Sequence, residues 1–264
     1  MTNYSAWLES FSEGSSSLKA RPWSCYSLRM KRGASLFTTE LFEHRFLPSS
    51  RLIPRSKQKL MIVLHGKGDS LQSFADIRQE LRLPGFNYLL LNAPRKFEKG
   101  YSWFATEPRH ARGVKEVRKK LFLLVEELGN AGWDPQDIFW MGHSQGCLVA
   151  CDLVMNYREA FGGMIGVSGY LWFFRGWRYK IARSGARRTP WLMTHGSRDR
   201  IIHPDEIRED ITHLLNGDVP VLYREFPKGH DFDFTREVPF IRQWIRRPRK
   251  ASSQSDIPVL VELA

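Results

Sequence analysis

Apolar residues along the chain fall into short unbroken runs, separated by longer stretches in which they recur every three or four positions. The runs are 59–65 (KLMIVLH), 86–92 (FNYLLLN), 137–141 (DIFWM), 164–167 (MIGV), 191–195 (WLMTH) and 219–226 (VPVLYREF). Each has the length and branched or aromatic character of a strand buried on both sides. Between them, 71–83, 114–128, 146–157, 204–215 and 235–245 carry helical spacing, most clearly Val117, Leu121, Leu124, Val125 and Leu128. Buried strands alternating with helices predict an α/β protein with a mostly parallel central sheet and helices on both faces. Sheets of this kind place their sites at the carboxyl ends of the strands. Segments 42–47 and 25–30 are expected to form an antiparallel pair at the start of the sheet.

A chain of 264 residues with 42% hydrophobic content suits one large domain with a substantial core. The expected division is an N-terminal arm over 1–22 that is Ser-rich and aperiodic, a domain over 23–246, and a polar tail over 247–264 opening on basic residues. The nine Trp and seventeen Phe serve core packing first and apolar pockets second. The net charge of +12 directs attention to anionic partners: nucleic acid, an anionic membrane surface, or a negatively charged substrate. A solvated basic surface accounts for the same charge. None of the recognised nucleic-acid modules is present, so specific nucleic-acid binding is not expected. Cys25, Cys147 and Cys151 form neither a disulfide framework nor a zinc-ligand pattern, and no metal is expected. With no apolar run at the N-terminus and none of membrane-spanning length, the expected location is the cytoplasm.

Directly after the run DIFWM comes Gly142-His143-Ser144-Gln145-Gly146, a G-x-S-x-G pattern between a predicted strand and a predicted helix. That turn is tight enough to strain the serine backbone, and small neighbours relieve the crowding. The hydroxyl then stands at the top of the sheet, beside the free N–H groups of a helix start. A serine nucleophile needs a base, and the base needs an orienting carboxylate. Asp199 follows the run WLMTH, and His230 follows the run ending at Phe226, so Ser144, Asp199 and His230 occur in the chain order this architecture uses. Asp205, behind Pro204, suits helix capping better, and Asp231 is adjacent to His230 and points elsewhere. His143 and His195 are expected to shape the site rather than move protons. For the oxyanion, the backbone N–H of Gln145 is one donor. The loop His65-Gly66-Lys67-Gly68-Asp69 supplies the other, assigned to Lys67, while Asp69 or Ser70 caps the following helix.

The motifs LHGKGD, NAP with YSWF, GHSQG, HGSRDRII and GHDF, in this order, resemble the phospholipase/carboxylesterase family of α/β-hydrolases, which includes acyl-protein thioesterases and small bacterial esterases. The resemblance covers about residues 59–245. It implies a triad of Ser144, Asp199 and His230, oxyanion amides at Lys67 and Gln145, a Trp103 that borders the acyl site, and chemistry without metal or cofactor. Lys67 departs from the apolar residue often found there. The expected activity is hydrolysis of carboxylic esters with small or medium acyl groups. Acyl-protein or acyl-CoA thioesterase, lysophospholipase, and a non-catalytic binding protein of the same fold are the alternatives. The segment 170–188 is unusually aromatic and basic, and reads as a cap-like insertion. Leu171, Trp172, Phe173, Phe174 and Trp177 offer a flap over an acyl chain, with Trp172 and Phe173 as substrate contacts beside His143. Arg175, Arg178, Lys180, Arg183, Arg187 and Arg188 offer attraction for an anionic substrate or membrane surface. An amphipathic helix with its aromatic side down explains the same pattern. Oligomeric state is not legible.

Overall fold

A computed structural model describes residues 37–105, 110–173 and 176–247, together with the backbone of 261–262. The arm over 1–22, segment 25–30, Phe174, Arg175 and most of the tail lie outside the described residues. In chain order, β1 is His44–Leu47, β2 Lys59–Leu64 and α1 Ile77–Leu81. Strand β3 (Phe86–Leu91) precedes a short pair, β4 (Arg95–Phe97) and β5 (Gly100–Ser102). Helix α2 (His110–Asn130) leads to β6 (Ile138–His143), α3 (Gln145–Asn156) and β7 (Gly163–Val167). Then come α4 (Trp177–Arg183), β8 (Trp191–Gly196), α5 (Pro204–Asn216), β9 (Val221–Phe226), α6 (Glu237–Arg246) and β10 (Val261–Glu262).

The main sheet has the order β1-β3-β2-β6-β7-β8-β9-β10, parallel throughout except for β1. Strand alternation divides its side chains between two cores. Leu60, Ile62 and Leu64 of β2 face one core, formed with α2, α3 and α5, while Met61 and Val63 face the other, formed with α1 and α6. The predicted stripe of α2 (Val117, Leu121, Leu124, Val125, Leu128) is buried along its length. Burial of each such side chain contributes about 1.5–3 kcal/mol relative to exposure. Helix α3 is buried on nearly every side, as expected of a helix with apolar residues all round. Its one carboxylate, Asp152, meets Arg118 of α2 through two hydrogen bonds of 2.8 and 3.0 Å.

One expectation needs correction, and two strand pairings were not foreseen. The segment 71–83 is not one helix: a 3-10 turn at Leu71–Phe74 gives way to α1. The Ser70 hydroxyl caps the amide of Gln72, and Asn92 Oδ1 accepts from the Leu71 amide, so local and cross-chain acceptors shorten the helix. Strand β1 pairs antiparallel with β3, whose outer edge would otherwise be bare. The β4–β5 hairpin sits in a polar stretch, RKFEKGYS, that carries no apolar alternation.

The 170–188 segment folds as the amphipathic alternative describes. Ile181 is buried, Trp177 and Phe173 pack on His213 of α5, and Arg178, Lys180 and Arg183 are exposed. Asp210 of α5 anchors its start by accepting from the Leu171 amide at 2.8 Å. Burial pushes the Asp210 carboxyl up to about 7, with Glu209 and Glu206 adding to the shift. A carboxyl raised in the folded state stabilises the protein below its unfolded value, and that stability is lost as pH rises toward 7. Asp210→Asn keeps the acceptor and removes the titration. Thermal melts should therefore show the variant gaining a few degrees on the wild type between pH 5 and pH 8. A gap that is constant with pH would contradict this.

Candidate active site

Strand β6 ends at His143, and α3 begins at Gln145, leaving Ser144 alone to make the turn. Its backbone is held at φ 52° and ψ −119°, a region side chains rarely adopt. Such strain costs on the order of 1–3 kcal/mol and persists only where surrounding structure enforces it. Here the Ser144 amide donates to the Val167 carbonyl at 3.0 Å. The flanking glycines are sterically required. A Cβ at Gly142 would lie 2.4 Å from the Gly146 carbonyl oxygen, and one at Gly146 would lie 2.4 Å from that of Leu64.

Two loops bring their side chains to this turn. Asp199 lies just past β8 and is buried. His230 lies just past β9, with 14% of its side chain exposed. His230 Nδ1 is 2.8 Å from Asp199 Oδ2, and Nε2 is 2.9 Å from Ser144 Oγ. With Nδ1–H donating to the carboxylate, Nε2 is free to accept from the hydroxyl. The other oxygen of Asp199 accepts the amides of Ile201 and Ile202 at 2.9 and 3.1 Å. Burial works against charge on Asp199. The bonds from His230, Ile202 and Ile201 outweigh it and hold the carboxyl below the usual range. The His230 loop is itself fixed by Lys228, whose Nζ donates to Ser168 Oγ at 2.7 Å and the Asp231 carbonyl at 2.9 Å, and pairs with buried Glu237 at 2.9 Å.

His143 donates Nε2–H to the His230 carbonyl at 3.0 Å and packs against the His230 ring. Burial pushes its pKa down to about 4, which keeps it neutral at ordinary pH. His195 donates to the Ile202 carbonyl at 3.0 Å and lies 3.3 Å from Asp199 Oδ2. Burial lowers its pKa too.

Lys67 and Gln145 both line the same cleft, and the backbone amide of neither has an acceptor among the described residues. The Lys67 loop is clasped from behind. Trp103 Nε1 donates to the His65 carbonyl at 2.8 Å, and the Ala93 amide donates to His65 Nε2 at 3.0 Å. The Gly68 and Tyr101 amides donate to the Tyr101 and Asp69 carbonyls, each at 2.8 Å. The buried Gln145 side chain completes the clasp. Its Oε1 accepts from Ser102 Oγ and the Trp103 amide, and its Nε2 donates to the Phe104 carbonyl. Sequence reading used only the backbone of Gln145; the amide side chain carries no pattern that reveals this role.

A cleft of about 460 Å³ opens on Ser144 and His230, lined also by Lys67, Gln145, Tyr170, Ile201, Ile202 and Glu206. Several expected contacts stand elsewhere. Trp103 is wholly buried beneath the loop it fastens. Trp172 packs toward His110, and Phe173 toward Trp177 and His213, outside the cleft. Among the described residues of the 170–188 segment, only Tyr170 lines it. Ile201 and Ile202 were missed, although they stand two and three residues past Asp199 and their amides bind its carboxylate.

Comparison with known proteins gives this arrangement a lineage. The phospholipase/carboxylesterase family pattern matches residues 53–245. Carboxylesterase SOBER1 of Arabidopsis thaliana is 25% identical over 210 residues, covering 73% of this chain and 91% of that protein. Its crystal structure superposes with a TM-score of 0.66 at 23% identity, covering 71% of this chain and 97% of the other. Acyl-protein thioesterase 1 of Yarrowia lipolytica is 26% identical over 162 residues, covering 55% of this chain and 71% of the relative. Among the described residues, no helix is long and apolar enough to cross a membrane. With the family pattern running through the sheet, the serine turn and both loops, the chain belongs to the phospholipase/carboxylesterase family and is a carboxylic-ester hydrolase of the α/β-hydrolase fold.

Proposed function

We propose that the chain cleaves carboxylic esters of small or medium acyl groups by two-step acyl transfer, with Ser144 as nucleophile, His230 as general base and acid, and Asp199 as its orienting carboxylate. The observation that carries this reading is the unbroken pair of hydrogen bonds from Ser144 Oγ through His230 to Asp199, at 2.9 and 2.8 Å. Ser144 Oγ attacks the ester carbonyl as His230 Nε2 takes its proton. The Lys67 and Gln145 amides receive the developing oxyanion. The imidazolium, stabilised by Asp199, then protonates the leaving alcohol. Water enters, gives a proton to His230 and attacks the acyl-serine, which releases the acid and restores the serine. A cleft of about 460 Å³, with Ile201, Ile202 and Tyr170 in its wall, suits an acyl group of modest length.

Thioester cleavage is the second reading, favoured by the relative named acyl-protein thioesterase 1. It uses the same residues on a better leaving group, and matched butyryl ester and thioester substrates separate the two by kcat/KM. The catalytic reading itself is tested with a fluorophosphonate. The native protein should take up one equivalent, located on the Ser144 peptide by mass spectrometry, and heat-denatured protein should take up none. Folded protein that stays unlabelled would overturn the proposal and favour a non-catalytic binding role.

A further inference from the structure

Of the cations of 170–188 expected to attract an anionic substrate, Arg175 lies outside the described residues, and Arg178, Lys180, Arg183, Arg187 and Arg188 are not among the residues that line the cleft. A different group borders it. Lys67 lines two spaces at once: the cleft on Ser144 and an adjoining pocket of about 230 Å³. Among the described residues, the wall of that pocket has three cations, Lys67, Arg95 and Lys96, beside Phe97, Ser102 and Phe104, and no carboxylate. The cations are held differently. Lys67 Nζ stands 4.4 Å from the centre of the Phe97 ring. Arg95 acts at longer range on Glu116 of α2, whose carboxyl its charge helps to lower. Lys96 donates to Tyr101 Oη at 2.6 Å, and that hydroxyl donates to Glu43, so its counter-charge is one group removed.

The pocket is in fixed register with Ser144. Its floor belongs to the β4–β5 hairpin, which the Gly68 and Tyr101 amide bonds lock to the Lys67 loop. Ser102 and the Phe104 carbonyl are tied to Gln145, the residue after the serine. The carboxylate among the cleft-lining residues is Glu206, in the first turn of α5. An elongated substrate with one anionic end is therefore drawn toward the hairpin and repelled from α5.

We propose that this pocket is an anion subsite, which takes a carboxylate or phosphate carried by the ester substrate whose carbonyl sits at Ser144. The planar Arg95 guanidinium suits two-point binding of either group, and Lys67 and Lys96 add charge. The inference rests on the catalytic reading of Ser144.

The test uses three chromogenic esters: 4-nitrophenyl butyrate, its acyl-charged counterpart 4-nitrophenyl hemiglutarate, and the leaving-group-charged 3-carboxy-4-nitrophenyl butyrate. Each is assayed in low and high salt with the wild type, Arg95→Gln and Arg95→Gln/Lys96→Gln. The result is the ratio of kcat/KM for each charged ester to that for the neutral one, which cancels general losses of activity. For one charged ester, the ratio should fall about tenfold in the double variant, by an intermediate amount in the single one, and toward the double-variant value in high salt. Which ester responds identifies the side of the scissile bond that the pocket holds. Inorganic phosphate should compete with the responding charged ester in the wild type and far more weakly in the double variant, and should affect hydrolysis of the neutral butyrate little. Phosphate inhibition without an ester effect would make the pocket a free-anion site and overturn the substrate claim. Ratios unchanged by substitution and salt, in a protein that turns over the neutral ester and labels with fluorophosphonate, would overturn the inference while leaving the catalytic reading intact. Absence of both turnover and labelling would remove the catalytic reading, and the inference with it. Arg95 and Lys96 are exposed on the hairpin, so both variants should melt with the wild type.

Discussion

Ser144→Ala should lower kcat for 4-nitrophenyl butyrate about a millionfold, the scale of nucleophile loss in serine hydrolases with this type of site. The substitution removes one oxygen and leaves the strained turn, the oxyanion amides and the His230–Asp199 pair in place. Far-ultraviolet circular dichroism and the melting temperature should stay close to wild type, separating lost chemistry from lost structure. Asp199→Asn should cost less, about ten-thousandfold, by favouring the wrong imidazole tautomer. The two losses should not add, since each member acts only through the others. Retention of wild-type turnover in Ser144→Ala would end the acyl-serine mechanism, whatever became of the fold.

The second large effect concerns stability. Lys228 and Glu237 form an ion pair with side chains only 7% and 0% exposed. Glu237 Oε2 also accepts the Asp233 amide at 3.1 Å, and Oε1 has no partner. Lys228→Met would leave that carboxylate buried without its cation, at a cost of about 3–5 kcal/mol. Urea unfolding should show this as a lower midpoint at nearly unchanged slope. The double variant Lys228→Met/Glu237→Met removes both charges and should recover most of the loss, because burying a pair is far closer to neutral than burying one charge. Equal destabilisation in single and double variants would refute the account. The single variant should also lose activity, because Lys228 tethers the loop that carries His230 to Ser168 and to the Asp231 carbonyl.

The sheet was readable because β2, β3, β6 and β8 are buried on both faces and therefore appear as uninterrupted apolar runs. The serine, aspartate and histidine could be singled out for a related reason: each stands within four residues of the end of a strand, β6, β8 and β9 respectively. What escaped were features that depend on partners far along the chain. Gln145 reaches Ser102, Trp103 and Phe104, more than forty residues earlier. The hairpin is held by the Lys67 loop rather than by its own alternation. Trp103, Trp172 and Phe173 illustrate the opposite error. Aromatic character says that a residue wants to be covered, and here core and neighbouring helices cover them, not substrate.

The clasp made by Gln145, Trp103 and His65 joins the serine turn, the Lys67 loop and the hairpin backbone into one unit. The side chains of Ile201, Glu206 and Arg95 take no part in the bonds of Gln145, Trp103 and His65, although they border the space a substrate would fill. On the proposed reading, preference and reactivity are drafted on separate parts of the molecule. Substitutions at the rim are then expected to retune what enters while Ser144, His230 and Asp199 stay as they are, which suits redirecting selectivity by mutating a handful of surface positions.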